Sequence, residues 1–182
     1  MDRIYFTEEQ KFDQVWFRLI IVMTWVLMVV LFGWGIYQQI VLKKPWGDNP
    51  TSDTALLLTA AFIFLVMTGV TWLTFSIRLI TEVSEEGFKY RFPPLINKFK
   101  TIPKSMIAEY EVRKYNPILE YGGWGIRFGQ FGKGRAYNVK GNIGLQLKLQ
   151  NNKRILFGTQ RAEALKSAMD KMMNPPEYQS KG

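Results

Sequence analysis

The chain has no cysteine and no histidine. The first absence rules out disulfides. Together they remove the commonest zinc ligands, the Cys–His dyad, the Ser-His-Asp triad and the usual switch near neutral pH. Charge is also absent over two long stretches: Leu19–Leu42 and Thr54–Ile77 each run 24 residues without Asp, Glu, Lys or Arg. At ~1.5 Å per residue each makes a helix of about 36 Å, against a hydrocarbon core of roughly 30 Å. Both are expected to span a bilayer with some tilt. The alternative is a pair of buried core helices, but apolar runs beyond ~18 residues rarely serve a soluble core. With no charged side chain in either run, an ion pathway or proton relay is not expected.

Other signatures are missing. Residues before the first run include Asp2, Glu8, Glu9 and Asp13, the run is too long for a signal-peptide core, and no A-x-A site follows it. The scattered serines never form G-x-S-x-G. Glu82, Glu85, Glu86, Glu109, Glu111 and Glu120 sit at strand positions that mostly look outward. No catalytic residue, enzyme activity, metal or cofactor is therefore expected.

What is present is a basic surplus in one part of the chain. The net charge is +9; residues 1–80 hold six Lys/Arg and six Asp/Glu, whereas residues 81–182 hold eighteen against nine. The expected organisation is a leader (1–14), a first transmembrane helix (15–42), a short external loop (43–53), a second transmembrane helix (54–78), a folded domain (79–174) and a tail (175–182). The loop KKPWGDNPTSD has turn chemistry, with Ser52 or Asp53 able to cap the second helix. Trp16, Phe17 and Trp46 suit an interfacial belt. Lys43 and Lys44 are outnumbered by Arg78, Lys89, Arg91, Lys98 and Lys100 beyond the second helix, which predicts both termini on the cytoplasmic side. Ala61, Thr68, Thr71, Thr74, Gly33 and Gly35 permit close helix packing, within the hairpin or with another protein.

After Arg78 the period changes. Leu79–Val83, Phe88–Phe92, Phe99–Ile102, Ile107–Tyr115, Trp124–Phe128, Arg135–Val139, Leu145–Leu149 and Arg154–Phe157 alternate like strands, separated by Gly, Pro and Asn turns. Ala162, Leu165, Met169 and Met172 then fall at helical spacing. About seven short antiparallel strands followed by one amphipathic helix predict a strongly bent sheet that closes into a small barrel, with the helix plugging its end. This is the architecture of a seven-stranded pleckstrin-homology (PH)-like β-barrel capped by a C-terminal α-helix.

Three blocks carry a resemblance: Gly123-Trp124-Gly125-Ile126-Arg127, Arg135-Ala136-Tyr137-Asn138-Val139 with Gly141, and Gly158-Thr159-Gln160-Arg161. The chain resembles, over essentially its whole length, the bacterial PH-like membrane proteins with two N-terminal transmembrane helices. That resemblance implies an integral protein of the bacterial inner (cytoplasmic) membrane. It implies no ligand, because function does not follow from a fold.

The stretch Tyr121–Gly141, YGGWGIRFGQFGKGRAYNVKG, holds seven glycines and no acid. It is not a nucleotide cradle: Phe128 and Tyr137 stand where the third glycine of G-x-G-x-x-G belongs, and Lys133 is followed by Gly134 rather than Ser or Thr. One reading is architecture, with Trp124, Ile126, Phe128, Tyr137 and Val139 filling a core and the glycines allowing tight coiling. The other is a lipid-touching tip, with Phe131 ringed by Arg127, Lys133 and Arg135. The expected partners are thus membrane lipids with anionic headgroups, a protein partner, or a second copy of the chain. Without a nucleic-acid-binding signature, nucleic acid is not expected.

Overall fold

The computed structural model of the chain describes residues 3–130 and 132–174; the expected 175–182 tail lies outside them. The chain divides into two compact units, residues 13–75 and residues 1–12 with 76–182.

The first unit is a helical hairpin. α1 spans Val15–Ile36 and continues as a π-helical turn over Tyr37–Val41; α2 spans Asp53–Ser76. Both are long and apolar enough to cross a membrane, and only 11% of the most apolar window of each is buried. A core helix of a soluble protein would be mostly buried. Ser52 caps α2, its Oγ accepting from the Ala55 amide at 3.2 Å. The small and polar residues noted in the sequence partly hold this hairpin together. Trp25 Nε1 donates to Thr71 Oγ1 at 3.1 Å, Gly35 faces the Trp46 ring, and Gln39 Nε2 donates to the Thr51 carbonyl and to Asp53.

Among the described residues the second unit has nine strands in two sheets and one long helix. β1 (Ile4–Lys11), β2 (Arg78–Ser84), β3 (Gly87–Phe92) and β4 (Ile96–Pro103) form an antiparallel sheet in that order. The other sheet orders β5 (Ile107–Lys114), β8 (Ile143–Leu149), β9 (Arg154–Gly158), β7 (Arg135–Asn138) and β6 (Gly125–Phe128). Within it β7 and β9 run parallel and the other neighbours antiparallel. The expected seven-stranded closed barrel is therefore corrected: β4 and β5 meet through a 3-10 turn at Lys104–Met106 and β1 and β6 share no ladder, so the sheets stay separate and open. Phe88, Tyr90 and Phe92 from one sheet meet Tyr137, Leu145, Leu147 and Phe157 from the other in a single core. α4 (Ala162–Met173) closes it with Leu165, Ala168, Met169 and Met172.

β1 lies in residues expected to be a leader. Its inner face carries Phe6 but also Glu8 and Gln10, all buried. Glu8 Oε2 accepts from Thr159 Oγ1 at 2.7 Å and Oε1 from the Gln160 amide at 2.8 Å. Gln10 Nε2 donates to the Gly158 carbonyl at 2.7 Å. The Gly158-Thr159-Gln160-Arg161 block is thus the clasp that receives β1. Lys11 is the ladder partner of Arg78, so the helical hairpin is an insertion between two paired strands. Three residues link β1 to α1, and Ile77 alone links α2 to β2.

This topology makes a prediction. Replacing residues 13–76 with Asn-Gly, the pair favoured in two-residue hairpins, rejoins β1 to β2 and leaves a water-soluble domain. It melts cooperatively by circular dichroism. A chain that starts at Arg78 loses β1 and melts without a cooperative transition.

Candidate functional site

The stretch that follows β5 is built around a short helix, α3, over Pro117–Tyr121. Asn116 caps it, its Oδ1 accepting from the Ile118 and Leu119 amides at 3.1 and 3.0 Å; Pro117 opens it, and Gly122, at φ 71°, ends it. These are ordinary start and stop signals. α3 buries Tyr121 and leaves Ile118 and Leu119 61% and 74% exposed.

The glycine loop folds back onto α3. The Gln130 amide donates to the Glu120 carbonyl at 3.2 Å, and Gly129 packs so closely on Tyr121 that a Cβ would come within 2.7 Å of the ring. Gly134 has φ +82°, and a Cβ there would overlap the Arg154 carbonyl. Loop closure thus requires glycine at these two positions without any ligand.

Two clefts flank the loop. One, of about 530 Å³, is polar and is lined by Arg113, Glu120, Lys133 and Gln146 among others. Arg113 reaches Glu120 Oε2 at 3.0 Å, Lys133 reaches it at 3.2 Å, and the Asn116 amide donates to Oε1 at 2.8 Å. Gln146 Oε1 accepts from Arg113 at 3.1 Å, while its Nε2 is buried without a hydrogen-bond partner. Burial pushes the Glu120 carboxyl up, but the hydrogen bonds from Arg113, Asn116 and Lys133 and the Arg113 charge outweigh it and hold it at about 2. The other cleft, of about 480 Å³, is lined by Phe128, Gly132, Gly134, Arg135, Tyr137 and Arg154 among others. The Arg135 guanidinium lies 4.7 Å from the Phe128 ring centroid and donates to the Tyr137 hydroxyl at 3.1 Å. Burial, with Tyr137 beside it, raises the pKa of the Tyr90 hydroxyl.

The sequence-predicted tip residues do not make one patch. Lys133 belongs to the Glu120 cluster and Arg135 to the second cleft. Arg127 turns back along its own strand, its Nε donating to the Trp124 carbonyl at 2.9 Å. Phe131 lies outside the described residues. Phe128, expected in the core, is 70% exposed at the end of β6. The alternation placed it correctly on the Tyr137 side, but the strand runs past the edge of the core. Gly125 and Asn138 are joined instead, the Gly125 amide donating to Asn138 Oδ1 at 2.9 Å. Asn138 Nδ2 donates to the Tyr115 hydroxyl at 2.9 Å, and Trp124 Nε1 to the Gly141 carbonyl at 3.1 Å. Burial pushes the Tyr115 hydroxyl up to about 12, against the lowering effect of the Asn138 hydrogen bond. Tyr137 and Thr159 are buried; Gly123 and Ile126 are partly so. Most of the signature residues therefore act as struts within the domain. Glu120, expected at an outward strand position, lies instead on α3 with its side chain only 15% exposed; for it and for Arg113, Ile118 and Leu119 the Asn-Pro…Gly-Gly frame of α3 is the available sequence signal.

Residues 3–174 match the sequence profile of one family, described as a family of unknown function (DUF6141). No curated protein and no solved structure matches the chain.

The Glu120 cluster carries a pH prediction. A carboxyl held at about 2 when folded, against an ordinary 4.5, contributes stability that is complete above pH ~4.5 and is lost as pH falls toward 2. Glu120→Gln is expected to cost about 2 kcal/mol at pH 7. Its melting-temperature deficit against the parent should shrink as pH falls from about 5 to 2. A deficit independent of pH would remove the charge from the explanation.

Proposed function

We propose that this chain, which belongs to the family of unknown function DUF6141, is a non-enzymatic integral membrane protein whose basic domain docks on anionic lipid at the membrane that anchors it. The observation that carries the reading is the insertion of an apolar hairpin between paired strands. Links of three residues and one residue join it to Lys11 and Arg78. No flexible spacer separates the domain from the helices. The basic surplus of residues 81–182 supports the same reading: a Lys or Arg near an anionic surface contributes roughly 1 kcal/mol, fading over about one Debye length, ~8 Å. The Lys/Arg counts favour the cytoplasmic face of the inner membrane, with both termini on that side. The helix-capped pair of sheets and the three signature blocks support a distant kinship with PH-like domains, which brings no ligand with it.

Because the chain lacks cysteine, one introduced thiol labels it at one place. Lys153 lies in the exposed turn between β8 and β9, and a nitroxide at Lys153→Cys in the full chain, reconstituted in liposomes, reports tumbling of the domain. Tumbling is expected to slow when phosphatidylglycerol is added to phosphatidylcholine, and to recover as salt shortens the Debye length. Equal tumbling in neutral and anionic liposomes at low salt would overturn the docking. The domain would then be read as an adaptor for a protein partner.

A further inference from the structure

We infer that the β3–β4 edge, and not the glycine-rich loop, is the surface that enters the lipid headgroups, with Leu95 and Phe99 as apolar anchors and Arg91, Lys98 and Lys100 as their cations. The inference rests on the docking reading and adds to it a face and a set of residues.

Chain connectivity selects the end of the domain. The apolar run of α2 stops at Ile77, and Arg78 is the first charged residue after it. The Arg78 amide donates to the Pro93 carbonyl at 3.0 Å. The turn Pro93-Pro94-Leu95 is therefore hydrogen-bonded to the residue at which the chain leaves α2. Lys11, where the chain departs for α1, is the ladder partner of that same Arg78. Leu95 stands two residues beyond Pro93, at most about 7 Å along the chain.

The chemistry of this edge suits a bilayer surface. Leu95 is 59% exposed and Phe99 43%. β4 is the outer strand of its sheet, and residues 97–101 are all exposed. The Arg91 guanidinium lies 4.7 Å from the Phe99 ring centroid, so cation and ring are presented together. Gly87–Pro103 contains Lys89, Arg91, Lys98 and Lys100 and no acid. Lys89 is paired with Glu86 at 3.0 Å, which leaves Arg91, Lys98 and Lys100 as the cations of the edge. Exposed apolar side chains interleaved with cations fit an interface where rings and methyls enter the acyl boundary and charges meet phosphates. The glycine loop is less suited, because Lys133 is neutralised by Glu120 and Arg127 is turned along its own strand.

The test uses the full chain with single bimane labels, in phosphatidylcholine liposomes with or without phosphatidylglycerol. Labels go at Leu95→Cys, at Leu119→Cys and at Phe128→Cys. The expected result is a blue shift and quenching by nitroxide lipids at position 95 in anionic liposomes, with positions 119 and 128 open to an aqueous quencher. Reversing two cations, Lys98→Glu with Lys100→Glu, should lower the docked-to-free ratio by at least about thirtyfold, while Lys153→Glu leaves it nearly unchanged. Immersion at 119 or 128 with position 95 aqueous would overturn this face and keep the docking. All three labels aqueous, with tumbling at position 153 unaffected by anionic lipid, would overturn both.

Discussion

Glu8 accepts two hydrogen bonds from residues more than 150 positions away in the chain, and the placement of much else follows from that contact. A carboxylate taken out of water costs several kcal/mol, which two charge-assisted hydrogen bonds roughly offset. The gain is therefore in register more than in net stability. A one-residue slip of β1 would turn Glu8 and Gln10 to solvent and bring Thr7 and Glu9 inward against Thr159 and Gly158. With the clasp in place, Phe6 enters the core, Lys11 meets Arg78, and the hairpin leaves the domain from two neighbouring strands.

That dependence explains which parts of the fold could be read from the sequence. β3 was legible because Phe88, Tyr90 and Phe92 alternate with Lys89 and Arg91; all three aromatics are buried. β8 and α4 were legible for the same reason, their inward positions being Leu145, Leu147 and Leu149, and Leu165, Met169 and Met172. β1 was not legible, because two of its three inward residues are polar and become acceptable inside only through partners near the other end of the chain. Hydrophobic period cannot report a strand whose burial depends on a hydrogen-bond clasp. Closure into a barrel was not legible either. It needs two ladders that no hydrophobic repeat reports, β4 with β5 and β1 with β6, and neither forms.

The candidate site shows the same divide between composition and geometry. Basic residues around glycines read as one cluster along the chain. In space Lys133, Arg135 and Arg127 point to three different surroundings, because β6 and β7 alternate their faces and the loop folds back on α3. Arg135 pairs with Phe128 across the ladder, while Arg127 pairs with Ala136 on the opposite face. The signature glycines and aromatics had a purely architectural explanation available, and most of their hydrogen bonds belong to it. Leu95 and Phe99 drew no notice in sequence, since a leucine after two prolines and a phenylalanine between two lysines look like ordinary strand residues. Only the bond from Arg78 to Pro93 ties them to the point where the chain meets its apolar helices.

A single tether would let the domain swivel about one bond and present any face to a nearby surface. The chain instead leaves β1 and enters β2 through links of three residues and one residue, on strands that lie about 4.8 Å apart. What matters is then the position of a cation along the domain more than the number of cations, because attraction to an anionic surface fades over about 8 Å. β5, β8, β9 and α4, whose chain paths pass through no tether, hold six Lys/Arg against four Asp/Glu, whereas Gly87–Pro103 holds four Lys/Arg and no acid. Arg91, Lys98 and Lys100 lie on strands whose connecting turn is bonded to Arg78 itself. They have no acid among them, and Leu95 and Phe99 are the exposed apolar residues of that edge, which is why the proposed docking is assigned to it.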